Sequence, residues 1–254
     1  MNLHISVRNL VEFLMRSGDI DNRHVGKLSE NAMQEGGRIH RKLQKAAGSD
    51  YAAEVTLSYE FLTERYAIVV EGRADGVFRK QRESLLEDTD GQGNLFLLNS
   101  DTDVIDDYVF VIDEIKGTYR DLDYLKEPQP VHLAQAMCYA FFYAHEYQLG
   151  EMGVQMTYCN MDTEEVRYFT YFYSYPELLQ WFSDLMSQYV KWADFQYDWS
   201  RIRTDSFREA TFPFAYRPGQ KELMTQVYST MCHKKKLFIQ APTGVGKTEL
   251  AKTL

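Results

Sequence analysis

The segment Pro130–Leu149 limits the fold more than any other. Proline in a first turn and a stop at Gly150 bracket a helix. Its centre, Ala134-Gln-Ala-Met-Cys-Tyr-Ala-Phe-Phe142, is apolar nearly all the way round. A helix without a solvated face is buried, so neighbouring elements must cover it. Val55–Tyr59, Tyr66–Phe78 and Tyr108–Lys116 are rich in β-branched and aromatic residues and predict strands, while Val154–Asn160 and Val166–Tyr173 predict a β-hairpin. These elements describe a mixed α/β domain.

Helical spacing of Val7, Leu10, Val11 and Leu14 predicts a first helix within residues 3–15, and residues 28–46 a second, polar and crossed by Gly36 and Gly37. Ser174-Tyr-Pro-Glu177 is a capping-box pattern before a long amphipathic helix ending near Trp199. Residues 200–215 read as a linker, Pro218 as the start of another helix and Leu237–Gln240 as a strand. Residues 79–107 are polar and acidic, and either carry a short strand at Asn94–Leu98 or form an insertion.

With 254 residues the chain accommodates one large domain, or one domain and a fragment. No window is long and apolar enough to span a bilayer, and the N-terminus lacks a secretory pattern, so a cytoplasmic protein without a membrane partner is expected. The three cysteines, Cys138, Cys159 and Cys232, form neither a disulfide framework nor a C-x-x-C zinc spacing. A formal charge of −9 is unusual for a DNA binder. Part of that acidity lies in Glu87–Asp107, however, and a nuclease site itself needs clustered carboxylates. The 18 Tyr and 15 Phe, dense between Tyr139 and Tyr197, are expected mainly in the core rather than stacked on bases.

Three strand residues carry candidate chemistry. Asp75 lies in Glu-Gly-Arg-Ala-Asp-Gly-Val-Phe, and Glu114 and Lys116 in Val-Ile-Asp-Glu-Ile-Lys-Gly. Alternation puts Glu114 and Lys116 on one face of a strand and Asp113 on the other. If the two strands are neighbours, Asp75 joins them. Two carboxylates suit Mg²⁺ or Mn²⁺, which activates water, and the lysine orients that water or stabilises charge on phosphorus. The same trio also fits edge-strand residues with an ion-paired lysine. Gly36 and His40 share a helix face, where His40 is either a surface histidine or a metal ligand. Gln135 and Tyr139 are the polar groups of the apolar helix, and serve either DNA or an internal hydrogen bond.

In this order, His40, Asp75, Glu114 with Lys116, and Gln135 with Tyr139 resemble the RecB-like branch of the PD-(D/E)xK nucleases, over roughly residues 1–200. Ile5-Ser-Val-Arg-Asn-Leu-Val-Glu-Phe also looks like that family's start. The resemblance implies a restriction-endonuclease-like core with a mixed central sheet flanked by helices. It implies metal ligation by His40, Asp75, Glu114 and the backbone carbonyl of Ile115, catalysis by Asp75, Glu114 and Lys116, and DNA contacts from Gln135 and Tyr139. Some relatives clamp the termini with four cysteines around an iron–sulfur cluster. With three cysteines here, no such cluster is expected.

Ala241-Pro-Thr-Gly-Val-Gly-Lys-Thr248 has the form of a phosphate-binding loop with alanine at its first glycine position. Phe214-Ala-Tyr-Arg-Pro-Gly-Gln220 precedes it. Together they resemble the start of an XPD/DinG-type superfamily-two helicase, which implies ATP contacts from Arg217, Gln220, Gly244, Gly246, Lys247 and Thr248. The expected organisation is a nuclease domain at 1–200, a linker at 201–215 and a truncated helicase segment at 216–254. ATP would serve only a complete helicase, whose remaining motor domains would lie in a longer parent chain. The function expected is a metal-dependent DNA nuclease favouring single strands or ends. The alternatives are a silent DNA-binding module that guides a helicase, or an accessory domain of an ATP-driven motor.

Overall fold

The computed structural model describes residues 2–15, 30–81, 84, 108–209 and 215–240. The chain divides into two compact units, Met1–Ala193 and Asp194–Leu254. The first contains a six-stranded mixed sheet with helices packed on it: β1 (Asn2–Ser6), α1 (Val7–Leu14), α2 (Glu30–Ala46), β2 (Ala52–Leu62), β3 (Ala67–Gln81), β4 (Tyr108–Thr118), a 3₁₀ turn (Leu122–Tyr124), α3 (Pro130–Tyr147), β5 (Glu151–Asn160), β6 (Val166–Ser174) and the start of α4 (Tyr175–Glu209). The expected mixed α/β fold is therefore present.

Strand β3 organises the sheet. On one edge it pairs antiparallel with β2 along Ala67–Val77. On the other edge it pairs first with β1, parallel, up to Ser6–Glu71, and then with β4, antiparallel, from Gly76–Asp113 onward. Residues 72–75 of that edge fall between the two ladders. β4 and β5 are parallel, and parallel neighbours need a crossover. The helix α3 supplies it, returning across the sheet so that its N-terminus lies near the end of β4. The β5–β6 pair is the expected hairpin.

The all-round apolar pattern of α3 is explained by its surroundings. Phe141 and Phe142 are fully buried, and with Tyr59 of β2 and Phe182 of α4 they form a cluster of ring pairs with centroids 4.8–5.9 Å apart. Edge-to-face and offset rings add to the area term that drives such burial.

Several boundaries differ from expectation. Residues 2–6 form a short strand, paired with β3, so the first helix begins at Val7, capped by the Ser6 side chain accepting from the Asn9 N–H at 3.2 Å. Helix α3 ends before Gly150: Gln148 takes the left-handed conformation (φ 54°), and the Leu149 N–H closes on the Ala144 carbonyl at 2.9 Å. The box at α4 forms as read, with Ser174 N–H donating to Glu177 at 2.8 Å. The helix does not stop near Trp199 but continues through Glu209, so residues 200–209 are helical rather than linker. In the second unit α5 (Gln220–Cys232) follows Pro218. Leu237–Gln240 is not a strand. Phe238 is 94% exposed, and an isolated β segment has no ladder to hold it. Asn94–Leu98 and Ala241–Thr248 lie outside the described residues. No helix among the described residues is long and apolar enough to cross a membrane.

His132, on the first turn of α3, couples the fold to pH. The Tyr158 hydroxyl lies 3.0 Å from the Gln129 N–H, which it accepts, and 2.9 Å from His132 Nδ1. Burial, and then the charge of Lys116, lowers the imidazole pKa to about 4. Protonation is therefore easier in the unfolded chain, and stability falls as pH drops from 6.5 toward 4. A His132→Gln variant should show a shallower fall of melting temperature between pH 7 and pH 4.5 than wild type. Parallel curves would remove His132 from the acid response.

Candidate active site

The residues singled out from sequence meet around the stretch of β3 edge between the two ladders. Two residues beyond the Gly76–Asp113 pair, a β4 amide donates to a side chain: Ile115 N–H bonds the Asp75 carboxylate at 2.8 Å. Arg73, in the same stretch, has its backbone hydrogen-bonded to the Tyr139 hydroxyl. Side chains thus take over hydrogen bonds that a neighbouring strand would supply. The opposite edge shows the irregularity too: Glu54, between the pairs Ala53–Gly76 and Val55–Ala74, has a φ of 58°, which is strained for a residue with a side chain.

Glu114 and Lys116 share a face of β4, as alternation requires, with Lys116 Nζ donating to Glu114 Oε1 at 2.6 Å. The same ammonium lies 3.4 Å from the Gln135 side-chain oxygen on α3. Helix α2 brings His40, whose Nδ1 is 3.4 Å from Asp75 Oδ1. One turn later Gln44 donates to the Asp75 carbonyl at 2.9 Å. A hydrogen bond from the Tyr119 hydroxyl to the Glu35 carboxylate (2.7 Å) and ion pairs from Arg38 and Lys42 to Glu164 hold α2 at its other points. His40, Asp75, Glu114, Lys116 and Gln135 are therefore one cluster, drawn from two helices and two strands.

Glu114 is 2% exposed, and its second oxygen, Oε2, is buried without a hydrogen-bond partner among the described residues. Burial, against the opposing pull of Lys116, raises its pKa to about 7. A buried carboxylate oxygen left bare is costly. Oxygen donors from Asp75 and Glu114, with an imidazole alongside, suit a hard divalent cation that would satisfy it. The Asp75 hydrogen bond, outweighing burial, raises the His40 pKa.

Tyr139 sits behind the cluster. It is 2% exposed, and its hydroxyl bonds the Gln135 side chain as well as Arg73. The hydrogen bond to Gln135 is internal, one of the two roles open to this residue. Gly72 permits this: a Cβ there would lie 2.6 Å from the tyrosine oxygen.

Sequence reasoning left two groups unassigned. Asp113, on the reverse face, is 5% exposed and accepts from the hydroxyls of Tyr51 (2.8 Å) and Thr157 and from Gln155 (3.3 Å). Burial raises its pKa to about 6 despite these bonds. Tyr51 precedes β2 and has no periodic pattern to reveal it. The glycine beside Asp75 was the available clue, since glycine inside a strand marks close approach of another group.

In the second unit, Gln220 is buried, and its side-chain oxygen accepts the Arg217 N–H at 2.8 Å. Gly244, Gly246, Lys247 and Thr248 lie outside the described residues. Cys138 and Cys159 are buried, Cys232 is exposed, and all three are free thiols.

No protein-family model and no curated protein matches the sequence. Among solved structures, that of the protein SSO0001 is similar over 73% of this chain and 76% of its own, at 15% identity and a TM-score of 0.41. A similarity so loose carries no inference about function.

The packing of Tyr139 on Gly72 is testable by a mutant cycle. Gly72→Ala should cost about 1–3 kcal/mol in urea unfolding, as overpacked sites do. In a Tyr139→Ala background the same change should cost under roughly 0.5 kcal/mol. Equal costs in both backgrounds would mean that the two residues do not compete for the same space.

Proposed function

We propose that the first unit is a divalent-metal-dependent nuclease of the RecB-like PD-(D/E)xK type that hydrolyses DNA phosphodiesters, with single strands or ends preferred. The observation that carries this reading is the bare Oε2 of Glu114, buried beside Lys116, Asp75 and His40. A purely structural ion pair would leave no reason to keep an unsatisfied carboxylate oxygen next to a second carboxylate and an imidazole.

In this reading Asp75, Glu114, His40 and the Ile115 carbonyl would hold Mg²⁺ or Mn²⁺. A bound ion supplies an acidified water and screens the phosphate charge. Lys116 presents its ammonium toward the scissile phosphate and orients the attacking water, stabilising the negative charge that builds there. Gln135 fixes the lysine head group at 3.4 Å, and Tyr139 fixes Gln135. Gln44 holds the backbone of Asp75, so that the carboxylate keeps its direction toward β4.

The sequence Arg217–Thr248 supports a coarser extension: this nuclease is part of a nuclease–helicase fusion whose ATP site includes Arg217, Gln220, Gly244, Gly246, Lys247 and Thr248. In that arrangement strand cleavage itself needs no ATP, because none of the cleaving groups belongs to the phosphate loop.

The test is incubation of end-labelled and internally labelled single- and double-stranded DNA with the chain in Mn²⁺, Mg²⁺ or chelator. Cleavage should require metal. Glu114→Gln and Lys116→Ala should each slow it by about 10²-fold or more, the scale expected when a transition-state donor is removed, with an unchanged circular-dichroism spectrum. Cleavage by Glu114→Gln at the wild-type rate would dismiss the assigned site.

A further inference from the structure

We propose that Tyr51 and Asp113 are positioning residues for the metal-holding carboxylates, acting from the reverse face of the sheet; the inference rests on the nuclease reading above. The geometry that carries it is the point at which β3 and β4 part. Gly76–Asp113 is the first pair of the β3–β4 ladder. The residue before Gly76 is Asp75 and the residue after Asp113 is Glu114, so both carboxylates sit one position outside the ladder, next to that pair.

Tyr51 locks that pair from behind. Its ring lies over Gly76 so closely that a Cβ there would fall 1.9 Å from it. The ring also stacks on Phe78 of β3, with centroids 5.9 Å apart and planes inclined by 17°. Its hydroxyl crosses to β4 and donates to Asp113 Oδ2 at 2.8 Å. Thr157 and Gln155 of β5 hold Asp113 Oδ1. One side chain thus ties β3 to β4, and one carboxylate ties β4 to β5, at the root of the site. Side chains alternate across a strand, so Asp113 cannot touch the substrate-facing cluster directly. It acts by setting where the two strands separate, and hence the spacing of Asp75 and Glu114.

The arrangement is also selective about what fits. Only glycine at position 76 lets the tyrosine lie flat on β3, and the hydroxyl adds nothing to that ring packing. Removing the hydroxyl alone therefore separates the latch from the packing.

The experiment uses the full chain with Mn²⁺ as the probe. Calorimetric Mn²⁺ affinity and the Mn²⁺ dependence of cleavage are measured for wild type, Tyr51→Phe, Asp113→Asn and Leu178→Ala. The last removes a fully buried residue at the start of α4, well away in sequence from the latch, and serves as the stability control. Tyr51→Phe should weaken Mn²⁺ binding by about tenfold, the lower end for partners that orient metal ligands, with the rate at saturating Mn²⁺ changing less. Asp113→Asn should shift in the same direction. Leu178→Ala should lose melting temperature yet keep wild-type Mn²⁺ affinity. Wild-type Mn²⁺ affinity in Tyr51→Phe, or a loss that Leu178→Ala reproduces, overturns the inference and leaves the nuclease reading intact. Wild-type protein that neither binds Mn²⁺ nor cleaves overturns both. If Asp113→Asn does not fold, Tyr51→Phe decides alone, since it keeps the ring.

Discussion

The interval between the two ladders on one edge of β3 is the constraint on which the rest of the unit depends. The β1 pairing ends at Glu71 of β3 and the β4 pairing begins at Gly76, so the backbone between them has no strand partner on that edge. Its polar groups must be met by something. Tyr139 meets Arg73, Gln44 meets the Asp75 carbonyl, and the Asp75 carboxylate meets Ile115. Each of those side chains belongs to a different element, so α2, α3 and β4 are drawn to one place. The cluster is a consequence of hydrogen-bond satisfaction at an interrupted sheet edge as much as of any chemistry it performs.

The electrostatics of β4 follow from the same interruption. Asp113 and Glu114 are consecutive, both nearly inaccessible, and on opposite faces. Asp113 has hydroxyl and amide donors around it, whereas Glu114 has one ammonium and one bare oxygen. Burial raises the pKa of both. The unequal solvation of two neighbouring carboxylates is a sharper indication of a working site than their presence, because a structural carboxylate is ordinarily satisfied on both oxygens. The net charge of −9 says little here, because the sign of the whole molecule does not set the surroundings of a pair of buried groups.

How much was legible in the sequence depends on the range of each interaction. Glu114 and Lys116 are two residues apart, and strand alternation places them together. The buried helix announced itself through composition, and the Ser174–Glu177 box through spacing. His40 could be joined to the group by resemblance alone, since nothing local links α2 to β3, and Asp75 only on the condition that its strand and that of Glu114 are neighbours. Tyr51 was missed because its partner is 62 residues away. The short β1 was absorbed into a helix because five residues carry too little pattern, and its strand character comes from pairing with β3. Gln148 was passed over as a helix stop in favour of Gly150, although backbone closure at Ala144, not residue type, set the end. Leu237–Gln240 had the composition of a strand and no neighbour to make it one.

The last pair of the β3–β4 ladder is Gln81 with Tyr108. The chain therefore leaves the sheet and re-enters it at two points one hydrogen bond apart, however many residues run between. Closing a longer connection across such fixed ends is cheap: each doubling of its length adds only about 0.6 kcal/mol. That junction is a natural port for insertion. Added or removed length at that junction is therefore borne by the connection and not by the paired strands on either side of it.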